Sequence, residues 1–392
     1  MIFKLAIKQL FKNKLSNIMI IFQLSVILTL NLTMISTLIF KGKHFFPFER
    51  FLNKSGVICS LTANDENELN EKIKNIDDIV FTYSDILESN NIKFNVWAYK
   101  DKYLNMIEPT LSDGIWLTEV KDDEKFYGVI TENQYKIKKG DIITYKNNKI
   151  EIIGVIPDNT PLYGFTGTNE SVESLKHDYR DLFRIHNYHY EIDTLKHSYP
   201  RLFMTHKNYT KLGLSNIVEG VGILTFDDNI SSDEIQENRN TISQLDGYII
   251  SDNNEALKNS KKYLYNQVYL ILPIIICVFI ITIISTISVN AITVRRQLKN
   301  YAIYNICGLS WKKCSLINLT TNSLICFISL LLTIISFITF DQLDIFTNMV
   351  ISLDLPQLIG CFIIILFYIL ISMITPFLMI RKVQPRDVLE EI

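Results

Sequence analysis

The side chains best able to do chemistry in this chain are histidines, and five of the six lie between positions 177 and 206. A pattern of Leu-Lys-His-x-Tyr-x-x-Leu-Phe-x-x-His occupies residues 175–186 and recurs at residues 195–206. His186 and His189 have a spacing that two zinc ligands on one helix can have, but neither cysteine nor an HExxH motif accompanies them. We therefore favour a duplicated strand or helix edge with histidines at wet positions and assign no metal ligand. A metal site at 175–206 stays the open alternative.

Catalytic motifs are absent from the sequence. It contains no GxSxG, HExxH or CxxC motif and no GxxxxGK[ST] phosphate loop. Its long apolar stretches also lack the charged residue that catalysis or ion transport inside a membrane needs. We predict that the chain is not an enzyme, has no catalytic residue and holds no cofactor, so that any ATP is bound by a partner.

Four stretches without any charged residue dominate the chain. About 20 apolar residues, at a helical rise of 1.5 Å, cross the ~30 Å hydrocarbon core of a bilayer, and a core helix of a soluble protein seldom lacks charge for so long. The first stretch is too long for the apolar part of a signal peptide and has no small-residue cleavage site. The uncharged stretches are Leu15–Phe40, Tyr263–Val294, Cys314–Phe340 and Leu355–Ile380. They predict transmembrane helices at 15–40, 267–293, 315–340 and 357–380.

The charges between these stretches predict their orientation, because loops rich in Lys and Arg stay in the cytoplasm. Residues 1–14 carry four lysines and no acid, residues 294–314 carry five basic residues and no acid, and residues 341–354 carry three aspartates and no base. The N-terminus, the 294–314 loop and the 381–392 tail are therefore expected inside, and 41–266 and 341–356 outside. Four predicted spans make the chain a multi-pass membrane protein. Its low content of Gly and its many Ile, Asn and Lys residues are typical of an AT-rich bacterium, so the expected location is a bacterial cell membrane.

The N-terminal residues Ile2–Lys14 predict an amphipathic helix. Lys4, Lys8 and Lys12 recur every four residues, and apolar residues fill the other positions. Such a helix lies on the inner leaflet; the alternative is an unstructured basic flank that only sets the topology.

The outer region 41–266 is acidic, with 27 Lys and Arg against 35 Asp and Glu. This balance argues against a nucleic-acid partner. Cys59 is its only cysteine, so no disulfide can form within it and its core alone must stabilise it.

Two β-α-β patterns stand at the two ends of this outer region. Between them Ile142–Tyr145 and Lys149–Val155 predict a hairpin that turns at Asn147-Asn148. The fold class predicted is thus an α-helical membrane protein with four transmembrane helices and a large α/β extracytoplasmic domain, a split βαβ subdomain with a β-rich insertion. Residues Asn254–Tyr265 predict a helical stalk above the second span. The segments of the two patterns are Val57–Leu61, Asp65–Ile76 and Ile79–Tyr83, then Val221–Phe226, Ser232–Leu245 and Tyr248–Ser251.

The order of one span, a large outer domain and three further spans resembles the FtsX/MacB-type (type VII) permease family of ABC transporters. Residues 128–158 (GVITENQYKIKKGDIITYKNNKIEIIGVIPD) are similar to the strand region of that family's extracytoplasmic domain. Residues 295–311 (RRQLKNYAIYNICGLSW) are similar to its inner loop, and residues 383–389 (VQPRDVL) to its C-terminal tail.

This resemblance implies a partner ATPase dimer that docks on the inner loop, a second permease copy or homologue, and an outer domain that moves with nucleotide state. The family has an Arg-Glu pair where this chain has Lys299-Asn300, so Asn300 replaces the acid. Gly308 matches the family's glycine and suits a helix C-cap. Apolar and aromatic side chains of the loop could fill a groove on the ATPase. Its flanking basic residues would either orient the loop or bind lipid headgroups, and we favour lipid binding. The residues expected to couple the ATPase are Lys299, Asn300, Tyr301, Ile303, Tyr304 and Gly308.

Three functions are compatible with that resemblance. Export or removal of a peptide, such as a bacteriocin or antimicrobial peptide, fits the large outer domain of the MacB-like branch. The alternative is an FtsX-like signalling permease whose outer domain activates a cell-wall hydrolase as its extracytoplasmic partner, although that branch usually has a smaller domain. Extraction of lipoproteins is the third and least favoured.

Overall fold

The computed structural model describes residues 2–12, 14–120, 125–157, 160–164, 175–185, 199–215, 217–245, 247–342 and 355–381. The chain divides into two compact units. The helical unit comprises Met1–Gly42 and Tyr265–Ile392, and the sheet unit comprises Lys43–Leu264.

The described elements are eight α-helices and twelve strands, joined by short 3-10 turns. The helices are α1 (Ile2–Lys12), α2 (Lys14–Leu52), α3 (Glu66–Lys72), α4 (His206–Lys211), α5 (Ser232–Gln244), α6 (Asn253–Ile306), α7 (Trp311–Gln342) and α8 (Leu355–Arg381). The strands are β1 (Gly56–Ala63), β2 (Ile76–Ser89), β3 (Ile92–Tyr99), β4 (Asp113–Gly114), β5 (Phe126–Thr131), β6 (Ile142–Tyr145), β7 (Asn148–Ile156), β8 (Pro161–Tyr163), β9 (Phe183–Ile185), β10 (Arg201–Thr205), β11 (Val218–Phe226) and β12 (Tyr248–Asp252).

Three of the helices, α2, α6 and α7, are long and apolar enough to cross a membrane, as a membrane protein requires. Within α8 the apolar helical stretch is Leu358–Ile371, which is shorter, so the fourth span stays a prediction. Helix α2 has 39 residues and α6 has 54, about 80 Å at 1.5 Å per residue. Both continue well beyond the predicted spans, and the segment predicted to be a stalk, Asn254–Tyr265, is the helical beginning of α6.

The sheet unit is built on one ten-stranded mixed sheet with the order β12-β1-β11-β2-β3-β10-β5-β7-β4, and β6 pairs with β7. Strand β11 lies between β1 and β2 and is antiparallel to both, so β1 and β2 run parallel with α3 as their connection. Likewise β1 lies between β11 and β12, which α5 connects. The two β-α-β segments therefore interlock in one sheet, which is the split βαβ arrangement predicted from the two ends of the outer region.

Two local predictions need correction. Helix α3 ends at Lys72, not at 76, because Asn75 has a positive φ and the chain enters β2 at Ile76. The hairpin turns at Lys146-Asn147, one residue earlier than predicted, and both have positive φ, as a two-residue hairpin turn of this kind requires. The predicted β-rich insertion joins the same sheet, because β5 and β7 extend it through β10.

Both faces of this sheet are covered. Successive residues of β1, such as Val57 and Ile58, are buried on opposite faces of the sheet. One face packs against α3, α4 and α5 through Leu69, Tyr209 and Ile242. The other face packs against the end of α2 and the beginning of α6 through side chains that include Phe45, Phe48, Phe51, Ala256 and Leu264.

The interlocked order predicts that the sheet unit folds only as a whole. A soluble fragment of residues 45–262 should unfold in one cooperative transition, followed by circular dichroism in urea. A fragment that ends at residue 216 lacks β11 and β12, the two partners of β1, and should not fold because apolar faces of β1 and β2 are exposed. Unfolding of both fragments at the same urea midpoint would show instead that the two halves are independent.

Candidate functional site

Residues 294–314, predicted to lie inside and called the inner segment, form the end of one helix, a turn and the beginning of the next helix. Helix α6 continues to Ile306, and α7 begins at Trp311. Between them Gly308 has a φ of +93° and its backbone N–H donates to the Asn305 carbonyl at 3.0 Å. The N–H of Leu309 donates to the Tyr304 carbonyl at 2.9 Å. Gly308 thus ends the helix in the left-handed conformation expected of a C-cap glycine, and no atom lies within 4 Å of where its Cβ would be.

The structure separates the residues predicted to couple the ATPase into an exposed and a buried group. Lys299, Ile303 and Ile306 are exposed on one helical face, with exposures of 43% for Ile303 and 65% for Ile306. Tyr301 is only 1% exposed and packs with Val294 and Cys314. Asn300 and Tyr304 are half-buried and Gly308 is exposed. The coupling role of these residues stays a prediction.

The buried Tyr301 hydroxyl belongs to a polar cluster with Gln297 and Gln9 of α1. It donates to Gln297 Oε1, and Gln9 Nε2 donates both to Gln297 Oε1 and, at 3.1 Å, to the Tyr301 hydroxyl. Neither glutamine was predicted from the sequence. The helical period could have pointed to Gln297, because Val294, Gln297 and Tyr301 fall on one face once α6 is extended to Ile306.

In the sheet unit, a strap formed by residues 175–185 lies across the ends of α2 and α6. The Tyr179 ring contacts the ring of Phe45 in α2 at 5.6 Å between centroids, and Phe183 contacts Phe48 at 5.5 Å. On the other side the Tyr179 N–H donates to Ser260 Oγ in α6 at 2.9 Å. Asn259 donates from its side chain to the His177 carbonyl at 3.0 Å. The strap therefore holds both helices.

An ion pair within the strap also contacts α6. The Arg180 guanidinium lies 3.7 Å from the centroid of the Tyr263 ring and pairs with the buried Asp178 carboxylate at 2.6 Å. Burial alone would lower the pKa of Arg180, but its hydrogen bonds to Asp178 raise it, so this cation stays charged. Burial raises the pKa of Asp181, which accepts hydrogen bonds from the Lys176 and Asp178 backbone N–H groups.

Direct contacts join the same two helix ends. Asn253, the first residue of α6, donates to the Phe51 and Lys54 carbonyls at 3.2 and 3.3 Å, so its side chain satisfies carbonyls at the end of α2. Lys261 of α6 forms an ion pair with Glu49 of α2 at 2.9 Å. The end of α2, the beginning of α6 and the strap are thus one connected cluster on one face of the sheet.

The histidine repeat divides between described and undescribed residues. His186, His189 and His197 lie outside the described residues. His177 Nδ1 hydrogen-bonds the Ile250 carbonyl at 2.7 Å, and the His206 ring packs against the Tyr83 ring in a tilted arrangement with 4.2 Å between centroids. Burial lowers the pKa of His206. Among the residues that the structure describes, no group of three possible metal ligands comes together. Leu182 ends a 3-10 turn before β9, whereas Leu202 and Phe203 lie within β10 of the large sheet, so the two copies differ in structure where both are described.

Comparisons with known proteins give structural similarity alone. No protein-family profile matches the sequence, and no curated protein is similar to it. The periplasmic region of MacB from Actinobacillus actinomycetemcomitans superposes with a TM-score of 0.28 and 13% identity, covering 56% of this chain and 96% of that one. The extracellular domain of the noncanonical ABC-type transporter YknZ from Gram-positive bacteria superposes with a TM-score of 0.26 and 10% identity. This match covers 50% of this chain and 98% of that one. Similarity at this level identifies neither a family nor an activity.

Proposed function

We propose that this chain is the permease subunit of an ABC transporter, in which a separate ATPase dimer acts on the inner segment and moves the outer domain. One observation carries the proposal. Helices α2 and α6, both apolar enough to cross a membrane, continue into the sheet unit, where their ends are fixed to one sheet face and to each other. A helix anchored in this way transmits a displacement at one end to the domain at the other.

The inner segment supports the ATPase as the source of that displacement. It forms the end of α6, carries five basic residues and no acid, and exposes Ile303 and Ile306 next to Lys299. Exposed isoleucines on a rigid helix suit an apolar groove on a partner. The chain itself has no phosphate loop, so the nucleotide belongs to that partner.

The cargo we propose is a peptide, such as a bacteriocin or antimicrobial peptide, handled outside the membrane by a pair of permeases. The support is the resemblance of residues 128–158 and 295–311 to the FtsX/MacB-type family, together with the size of the sheet unit, Lys43–Leu264. The signalling alternative, activation of a cell-wall hydrolase, is distinguished by what copurifies with the outer domain.

Purification of the full-length chain from its native membrane in mild detergent tests the proposal. We expect an ABC ATPase to copurify at one copy for each permease, and addition of the permease to stimulate its ATP hydrolysis. Recovery of the permease without any ATP-binding subunit, under conditions that keep its two copies together, would contradict the proposal.

The orientation predicted from the charges has a direct test, because the native Cys307 is exposed at the α6–α7 turn. In a background that lacks the other five cysteines, a membrane-impermeant thiol reagent should leave Cys307 unlabelled in intact cells and label it after lysis. An Asn147→Cys variant that also lacks Cys307 should be labelled in intact cells. Labelling of Cys307 alone in intact cells would invert the orientation.

A further inference from the structure

Helix α1 has three distinct faces. The first packs inside the helical unit, where Ala6 has no exposed surface and Gln9 is half-buried. The second is apolar but exposed, with 58% exposure for Phe3 and 60% for Phe11. The third is basic. At 100° per residue these faces follow one another around the helix. The exposed apolar face is Phe3, Ile7 and Phe11, and the basic face is Lys4, Lys8 and Lys12.

The packed face is held by polar contacts that fix α1 in place. Thr321 of α7 donates to the Ala6 carbonyl at 3.5 Å, and Asn17 of α2 donates to the Leu10 carbonyl at 2.7 Å. Gln9 belongs to the buried cluster with Gln297 and Tyr301 in α6. Helix α1 is therefore bonded to the inner segment, and a force on α1 acts on Gln297 and Tyr301.

The two exposed faces fit the surface of an anionic bilayer. The exposed apolar face is followed in the sequence by exposed apolar residues at the beginning of α2, of which Leu15 is 78% exposed. Helix α2 is itself a candidate span, so this end of it meets the bilayer surface. A line of aromatic and aliphatic side chains beside a line of lysines is the pattern of a helix in the interface plane. An acidic protein surface could pair with the lysines but would not explain the exposed apolar face beside them.

We propose that α1 binds anionic lipid headgroups of the inner leaflet and that this binding positions the inner segment through Gln9. Phe3, Ile7 and Phe11 enter the acyl boundary, and Lys4, Lys8 and Lys12 pair with phosphate groups. A change in lipid charge then changes the position of the α6–α7 turn and with it the accessibility of Cys307. In the transporter proposed above this would tune ATPase docking, but the lipid response is a property of this chain alone and needs no ATPase to be observed.

The test uses the full-length chain in nanodiscs of phosphatidylcholine alone or with 30% phosphatidylglycerol. The first readout is a fluorescent label on a Phe3→Cys variant that lacks Cys277 and Cys307, the two exposed native cysteines. Each lysine near an anionic surface should contribute about a fivefold change in partitioning. We therefore expect iodide to quench the label at least tenfold less in anionic nanodiscs. Replacement of Lys4, Lys8 and Lys12 by glutamine should abolish the difference, and replacement by arginine should keep it.

The second readout is the rate of thiol modification of the native Cys307 in a chain that lacks Cys277. We expect this rate to change several-fold between the two lipid compositions in the wild-type chain. A Gln9→Leu variant should lose this response while its labelled Phe3→Cys counterpart stays protected in anionic lipid. The matched control replaces three exposed lysines of the sheet unit, Lys125, Lys136 and Lys138, by glutamine and should behave as the wild type.

Two results would overturn the proposal. The first is a label at position 3 that stays open to iodide in anionic nanodiscs, or becomes protected only when an ATPase is added, which would assign the face to a protein. The second is a Cys307 rate that is the same in both lipids, or that still responds after Gln9→Leu. Failure of the chain to recruit an ATPase would contradict the proposed function and leave both readouts unchanged.

Discussion

A variant with Ile303→Glu and Ile306→Glu is expected to lose its partner ATPase almost completely. Both side chains are exposed, one helical turn apart, so the change does not disturb the core around Tyr301. An apolar anchor in a partner groove can contribute about 2 kcal/mol. Loss of two such anchors would weaken the complex by roughly three orders of magnitude. The measurement is copurification of the ATPase in detergent, with stimulation of ATP hydrolysis as a second readout.

Two controls separate docking from folding in this experiment. Ile303→Leu with Ile306→Leu keeps an apolar face and should retain the ATPase, and Lys312→Gln should have little effect. A Tyr301→Ala variant is not equivalent, because it empties a buried site and breaks the hydrogen bonds to Gln297 and Gln9. Normal copurification and stimulation with the double Glu variant would show that the ATPase binds elsewhere.

The second large effect is expected from the strap. Arg180→Ala removes the cation over Tyr263 and leaves the Asp178 carboxylate, whose side chain is 3% exposed, without its partner. An unpaired buried charge costs about 3 kcal/mol, so the strap should detach from α6. Movement of the outer domain on ATP binding, followed by spin-label distances, should then be lost while the ATPase still copurifies and hydrolyses ATP.

If the unpaired carboxylate causes the loss of stability in Arg180→Ala, a double variant that also neutralises Asp178 should recover stability. Asp178→Asn with Arg180→Ala removes the unpaired carboxylate and should regain part of the stability in urea unfolding of a fragment of residues 45–264, which keeps Tyr263. Lys261→Ala breaks the ion pair with Glu49 in the same cluster, but both partners are partly exposed, so it should cost no more than about 1 kcal/mol. Equal loss from Lys261→Ala and Arg180→Ala would rule out a special role for the strap.

The sequence predicted the elements that depend on local pattern. Long uncharged stretches predicted the apolar helices, since only their length and composition matter in lipid. Alternation and helix signals predicted β1, β11 and β12 and the helices α3 and α5 close to their places. The Ser231 side chain caps α5 by accepting from the Glu234 N–H. The glycine at 308 was found because a positive φ restricts the choice of residue.

What the sequence could not predict depends on contacts between distant residues. No local signal places β10 between β3 and β5. The one-residue error at the Lys146-Asn147 turn arises because asparagine adopts positive φ more readily than lysine, so the sequence alone favours Asn147-Asn148. The strap was noticed only as the first copy of a histidine repeat. Its role comes from contacts with Phe45 and Ser260, which lie far away in the chain.

The interlocked sheet also sets the order in which the outer domain can form during synthesis. Strand β1 is made early, but its hydrogen-bonding neighbours are β11, which begins at Val218, and β12. Until those two strands are synthesised, β1 has two open edges. Pairing across so long an interval is slow, because closing the loop costs entropy before any contact is gained. The unfinished sheet unit therefore keeps open strand edges from the synthesis of β1 until that of β11 and β12. In the proposed orientation those edges are exposed to chaperones and proteases outside the cell.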